Sequence, residues 1–463
     1  MDASLEQRPF WETIWPVLAC GAGLFSDGYV NNVIGSVVTV LKLEYADTYT
    51  NSGAAKYVSD IAFAGTVVGQ LLFGVLADRW SRTGSLLVST VILIIFTALA
   101  TGSYYHGDAV GMFNILTAWR FFIESSDVVA AAAQNKYYST IWRTSLGIGT
   151  VFPLILFVLR LRLKEPEEFS KHSMKYARTP YALVWRFYGW RLFVVCLIWF
   201  IYDFSTYSFG IYSSTILSNI YGDGAPLTTV FGWNTVINLF YLPGTIFGAF
   251  VSDWLGPRYT LVLGVTLQAI VGFIMAGVYA HLSQPSLVGA FAVVYGIFLT
   301  LGELGPGNNI GLLAAKTCAT GIRGQYYGFA AAVGKIGAFV GTWVFPYIQA
   351  AGGPDAVATA QYPFFVSASL CVLSGALALL CLPNVGQDTI ALEDARFREY
   401  LESRGWDTRQ LGLRKGEGLP GAGEVDVESS GSVGAGVGDA VPVKEKEGGG
   451  KEEGGALPAA AVA

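Results

Sequence analysis

The chain has 463 residues, of which 53% are hydrophobic and only 14% charged, with a formal net charge of −5. An average soluble domain carries roughly 25% charged residues. The composition therefore excludes a basic nucleic-acid binder, an acidic disordered chain and an ordinary cytosolic enzyme, and it points to a polytopic membrane protein. The acidity is local: positions 384–463 hold 15 acidic and 9 basic residues, which leaves 19 acidic and 20 basic for the rest.

A membrane-spanning helix needs about 20 predominantly apolar residues to cross roughly 30 Å of hydrocarbon. In chain order the apolar runs predict ten spans: Trp15–Leu41, Ile61–Leu76, Ser85–Tyr105, Leu146–Leu159, Leu192–Leu217, Val230–Val251, Thr260–Ala280, Leu287–Leu304, Tyr327–Ile348 and Pro363–Leu382. The mixed-charge start, MDASLEQRPFWETIW, is expected to carry no cleavable leader, so the first run serves as both targeting signal and span.

Lys and Arg concentrate in alternate loops. Arg79 and Arg82 follow the second span. The stretch after the fourth holds Arg160, Arg162, Lys164, Lys171, Lys175, Arg178, Arg186 and Arg191. Arg258, Lys316 and Arg323 follow on the same side, whereas 220–226, 282–285 and 352–360 have neither. By the positive-inside rule both termini are cytosolic. Beyond the last span, Thr389–Arg414 reads as a short amphipathic helix, and the sequence from Gly416 is too poor in large apolar residues to order itself.

Chemistry-bearing residues within spans are few. Asp27 lies mid-span in CGAGLFSDGYVNNVIG and reads as a protonatable carboxylate. In WFIYDFSTYSFGIY, Trp199, Asp203 and Tyr207 fall at i, i+4 and i+8, on one helix face. That face can hold a polar ligand while the carboxylate carries a coupling proton. In LTLGELGPGNNIG, Glu303, Asn308 and Asn309 surround a Gly-Pro-Gly break, a place where helices expose backbone groups to ligands. Lys335, alone in AAAVGKIGAFVG, can attract an anion or pair with an intramembrane acid. The five cysteines are scattered and three histidines have no metal-ligand spacing, so no disulfide framework, metal site or cofactor is expected. No nucleophile–His pair or phosphate loop marks an enzyme.

GVLADRWSRTG and GAFVSDWLGPR form an approximate internal repeat that places Asp78 and Asp253 175 positions apart. Gly74, Asp78, Arg79 and Arg82 in the first copy, with Asp253 and Arg258 in the second, read as a conformational gate. The Gly permits close helix approach and the Asp can pair with an Arg or a helix terminus of the other half. This motif resembles the loop between the second and third helices of the major facilitator superfamily.

Taken together, GLFSDGY, GVLADRWSR, LTAWRFF, RLRLKEPEEF, IWFIYDFSTYSFGIY, GELGPGNN and ATGIRGQYYGFAAAVGKIGAFVG resemble the fungal glycerophosphodiester:proton symporters. These are relatives of the phosphate:proton symporters. The resemblance runs over 15–122 and from 142 to about 414. It implies that Trp199, Tyr207, Asn308, Asn309 and Lys335 contact the substrate, and that Asp27 and Asp203 hold the coupling proton. Two departures stand out. Val30 occupies the place of a second first-helix Asp, which favours an organic phosphodiester over free phosphate. After Arg120-Phe121-Phe122, Glu124 and Ser126 stand where Gly is expected and a GGxYP-like motif is absent, which implies loss of the end of the fourth helix and of the whole fifth.

The expectation is an all-α major facilitator fold of about ten spans in two pseudo-symmetric halves, importing a glycerophosphodiester, or phosphate, with protons across the plasma membrane by alternating access. Its segments are a cytosolic start (1–14), a first half (15–160, incomplete around 123–142), a basic cytosolic loop (161–191), a second half (192–383), a possible amphipathic helix (384–415) and a Gly-rich acidic tail (416–463). A monomer in the bilayer, without nucleic acid, is expected. A sensor using the tail and a sugar porter are the alternatives; the latter usually lacks an intramembrane Lys.

Overall fold

The computed structural model describes residues 54–123, 150–163, 167–221, 226–386 and 389–412, with isolated positions at 15, 37, 41, 44, 45, 48, 49, 52 and 143. They belong to one compact unit, Met1–Leu419. The first predicted span, most of 123–142 and the tail from 416 lie outside the described residues.

In hydrocarbon every backbone N–H and C=O must be satisfied within its own segment, so apolar runs of this length can only be helical. The described residues are all-α: α1 (Ala54–Arg79), α2 (Arg82–Thr101), α3 (Ala109–Ile123), α4 (Val151–Arg160), α5 (Glu167–His172), α6 (Tyr181–Tyr221), α7 (Leu227–Leu239), α8 (Tyr241–Leu255), α9 (Pro257–Gly277), α10 (Tyr279–Leu282), α11 (Val288–Gly302), α12 (Asn308–Lys316), α13 (Arg323–Ala350), α14 (Ala356–Cys381) and α15 (Thr389–Ser403). A π-helical turn, Glu303–Gly307, joins α11 to α12. Among the described residues, eight helical stretches are long and apolar enough to cross a membrane. They cover the predicted spans except the first and Leu146–Leu159. In the latter, 144–149 lie outside the described residues, and α4 begins at Val151.

Local signals set several ends. Ser81 caps α2 by accepting from the Gly84 N–H, and Asp355 caps α14 through the Val357 N–H, as N-cap residues do. Gly256, at φ 84°, stops α8, and Pro257 opens α9 at once. Elsewhere hydropathy misjudged length. The helix read as Leu192–Leu217 begins at Tyr181, inside the stretch read as a loop, and runs for 41 residues. Arg186 and Arg191 interrupt the apolar run but not the backbone hydrogen bonding, so α6 projects beyond the bilayer. The stretch after Asn384 contains a helix, α15.

α13 is the pivot of the bundle, packed on both α1 and α6. Its glycines make this possible. A Cβ on Gly328 would meet the Gly74 Cα at 3.1 Å, and one on Gly337 or Gly341 would come within 2.8 Å of the Cα of Phe200 or Phe204. Small residues of this kind let helix backbones approach in lipid, where association depends on packing. The second half closes over an aromatic core in which Phe209 packs against Phe364 with ring centroids 4.7 Å apart.

Candidate functional site

The i, i+4, i+8 face of α6 meets Lys335 of α13. The Lys335 Nζ lies 3.0 Å from Asp203 Oδ2 and donates a second hydrogen bond to the Tyr207 hydroxyl. It also stands 4.0 Å from the Tyr207 ring centroid. Asp203 is buried. A buried ion pair needs this kind of additional bonding to offset the desolvation of both charges. Trp199 completes the face: its indole lies over Gly334, where a Cβ would approach Trp199 Cγ to 2.8 Å. Its ring meets Tyr327 edge-on at 5.4 Å. Tyr207 reaches the first half through Phe63 of α1, edge-on at 5.2 Å. The cluster therefore lies on the seam between halves, and it presents an ammonium, a carboxylate and a phenol that can exchange partners with an anionic ligand.

Asn308 and Asn309 have other engagements. The Asn308 amide donates to the carbonyls of Gly244 and Thr245 on α8, at 3.3 and 3.0 Å. Asn309 is fully buried. It accepts from Ser252 Oγ at 2.7 Å and donates to the Leu304 and Gly305 carbonyls at 3.2 and 2.8 Å. Pro306 lacks an N–H, and the π-turn leaves carbonyls without regular partners. The two asparagines thus tie the break to α8. The structure brings Trp199, Asp203, Tyr207 and Lys335 together; Asp27 lies outside the described residues.

At the basic end, the first copy of the repeat bridges the halves. Buried Asp78 accepts from the Gly324 and Gln325 backbone N–H groups at 3.0 and 2.8 Å, placing a carboxylate on the N-terminus of α13, where the helix dipole favours it. Gly74 allows this approach: a Cβ there would sit 2.7 Å from the Gly324 carbonyl oxygen. Arg82 is 3.8 Å from Asp78 and donates to the Thr320 carbonyl at 3.0 Å. Arg79 donates to the Ala177 carbonyl, Thr179 Oγ1 and the Tyr181 hydroxyl, at 3.2, 2.8 and 3.2 Å. The second copy behaves differently. Arg258 donates to the Leu379 carbonyl, while Asp253 is exposed and, among the described residues, has no hydrogen bond or ion pair.

Four participants were not singled out from the sequence. Asp394 of α15 accepts from the Thr320 N–H and Oγ1 at 2.6 and 2.7 Å, and Glu393 accepts from Arg191 at 2.7 Å. Both carboxylates are buried. Thr320 is therefore held by Arg82 from the first half and by Asp394 from the C-terminal helix. The adjacent acids in IALEDARF were the available signal, but a charge pair on an amphipathic helix is usually solvated.

The sequence profile of the family described as "Sugar (and other) transporter" matches residues 15–125 and 167–395. A glycerophosphocholine permease of Candida albicans is 43% identical, covering 89% of this chain and 86% of its own length. A major glycerophosphoinositol permease of the same organism is also 43% identical, covering 86% and 84%. Among solved structures, a D-xylose–proton symporter superposes with a TM-score of 0.61 at 14% identity, covering 81% of this chain and 99% of that one. That likeness speaks to the fold, which is the major facilitator fold. The chain belongs to the sugar (and other) transporter family and, within it, to the fungal glycerophosphodiester permeases.

Proposed function

We propose that this multi-pass transporter imports a glycerophosphodiester together with a proton, by alternating access across the plasma membrane with both termini in the cytosol. The carrying observation is Lys335 held between Asp203 and Tyr207 on the seam of the two halves. An intramembrane ion pair of this kind is costly and reads as functional by default. The phosphodiester anion takes the place of Asp203 at the Lys335 ammonium. Asp203, released from its cation, takes the proton, so that substrate and proton load together. Trp199 and Tyr207 wall the anion, and Asn308 with Asn309 holds the broken helix beside it. Asp27 is assigned as the second proton carrier of the pathway. The Asp78–α13 cap, with Arg79 and Arg82, holds the cytosolic side closed and must part for release; Gly74 lets it form, and Asp253 with Arg258 is the corresponding turn of the second half.

The relatives' glycerophosphocholine and glycerophosphoinositol substrates support this class for the present chain. The test is uptake of both radiolabelled compounds by yeast lacking its own permeases and expressing this chain. Uptake that rises as external pH falls, and that is lost in Asp203→Asn while surface expression is kept, is the expected result. Absence of uptake by the unsubstituted chain overturns the transport reading.

A further inference from the structure

Glu303 is a second carboxylate of the second half, and the exchange just described does not use it. It opens the π-turn at the end of α11, within a stretch long and apolar enough to span. Its Oε1 accepts from the Tyr202 hydroxyl at 3.0 Å. Its other oxygen folds back over Gly307, where any Cβ would collide with it, and its Cβ lies where one on Gly244 would come within 2.8 Å. The glycines on both sides therefore shape a slot for this side chain. Among the described residues no cation lies within ion-pair distance of it.

The groups that face it are known from each packed element. α6 contributes Tyr202 and the neighbouring Asp203, α8 contributes Tyr241, and α13 contributes Lys335. α9 presents Gln268, which does not titrate and packs against Gly302. Two carboxylates thus share the field of one ammonium that is already bonded to Asp203. π-Turns inside helices frequently occur at functional sites. A charged carboxylate with a single phenol partner in a spanning helix is expensive, and binding a proton removes the charge while keeping a hydrogen bond to Tyr202.

We infer that Glu303 is a proton-binding site of the transport cycle, distinct from the Asp203–Lys335 pair and hydrogen-bonded to Tyr202, the residue before Asp203. The proton bound by Glu303 comes from water in the open cavity and returns to water on the other side, with no covalent change. When substrate draws on Lys335 and Asp203 becomes neutral, the like-charge repulsion between the two acids disappears, so the proton affinity of Glu303 is coupled to the state of the substrate site.

Two readouts test this inference, and only the second rests on the transport reading. Infrared difference spectra of the purified chain in lipid, taken through an acid-to-neutral titration, are expected to contain a carboxylic-acid band that Glu303→Gln removes. Asp203→Asn should leave that band, Glu303→Asp should retain it, and Tyr202→Phe should shift its midpoint. An identical titrating band in the parent and in Glu303→Gln overturns the inference. In vesicles, Glu303→Gln should reduce proton-driven net uptake of glycerophosphocholine by about tenfold, while substrate exchange without a gradient stays within about twofold. Loss of both activities to the same extent marks a structural residue and also overturns it. If the parent chain carries no glycerophosphodiester, the transport reading fails while the infrared titration still decides the role of Glu303.

Discussion

At the scale of single residues, the Lys335–Asp203 pair makes a prediction that separates pairing from packing. Removing one partner of a buried ion pair leaves an uncompensated charge and costs about 3–5 kcal/mol, whereas replacing both with apolar groups of similar volume is near neutral. Asp203→Leu alone and Lys335→Met alone should each lower the melting temperature in detergent substantially. The double variant should recover most of that loss and remain inactive in uptake. A double variant as unstable as the worse single one would show that lost packing, not an uncompensated charge, sets the cost. The face that carries Asp203 was legible in the sequence, because i, i+4, i+8 spacing on a helix is fixed by geometry. The contact with Lys335, 132 positions away, was not, since no local pattern states which helix α6 meets. The asparagines show the converse: their proximity to a Gly-Pro-Gly break suggested ligand contacts, yet the carbonyls loosened by that break and those of α8 occupy their amides.

At the scale of elements, the basic-end contacts form one connected set around Thr320, with Arg82, Asp394 and Arg323 all bonded to it. Cys318, two positions before, is fully buried, and burial pushes its thiol up to about 12. The thiolate is the reactive form, so a raised value means less of it. In a variant with the other four cysteines changed to serine, maleimide labelling of Cys318 should be slow at about pH 7 and still slow at about pH 9, where an ordinary thiol near 8.5 is mostly thiolate. Asp394→Asn weakens two charge-assisted bonds, about 2 kcal/mol in all, and should raise labelling by roughly tenfold or more if the helix latches the closed state. Unchanged labelling would show that α15 is a bystander. The Gly–Asp–Arg turn was readable as a motif; its partner, the N-terminus of α13, was foreseen only as a class of group. The extension of α6 to Tyr181 escaped hydropathy altogether, because helix and bilayer need not end together.

At the scale of the whole molecule, Met1–Leu419 is compact without Pro420–Ala463. Truncation after Leu419 should leave the melting temperature within about 2 °C of the parent. Truncation after Val385 removes Glu393 and Asp394 and should lower it by several degrees, by the usual conversion of a few kcal/mol. Equal melting of both forms would show that α15 adds no stability. Length, apolarity and the placement of Lys and Arg determined by themselves that the chain is a helical membrane protein, and the repeated Gly–Asp–Arg turn pointed to two halves. Hydrocarbon admits few backbone solutions, so composition suffices for that conclusion. Which helices touch was decided only in three dimensions. Glycines on α13 bring α1 and α6 close enough for Asp78 to reach one end of it and Asp203 to reach Lys335, and no one-dimensional pattern encodes those distances.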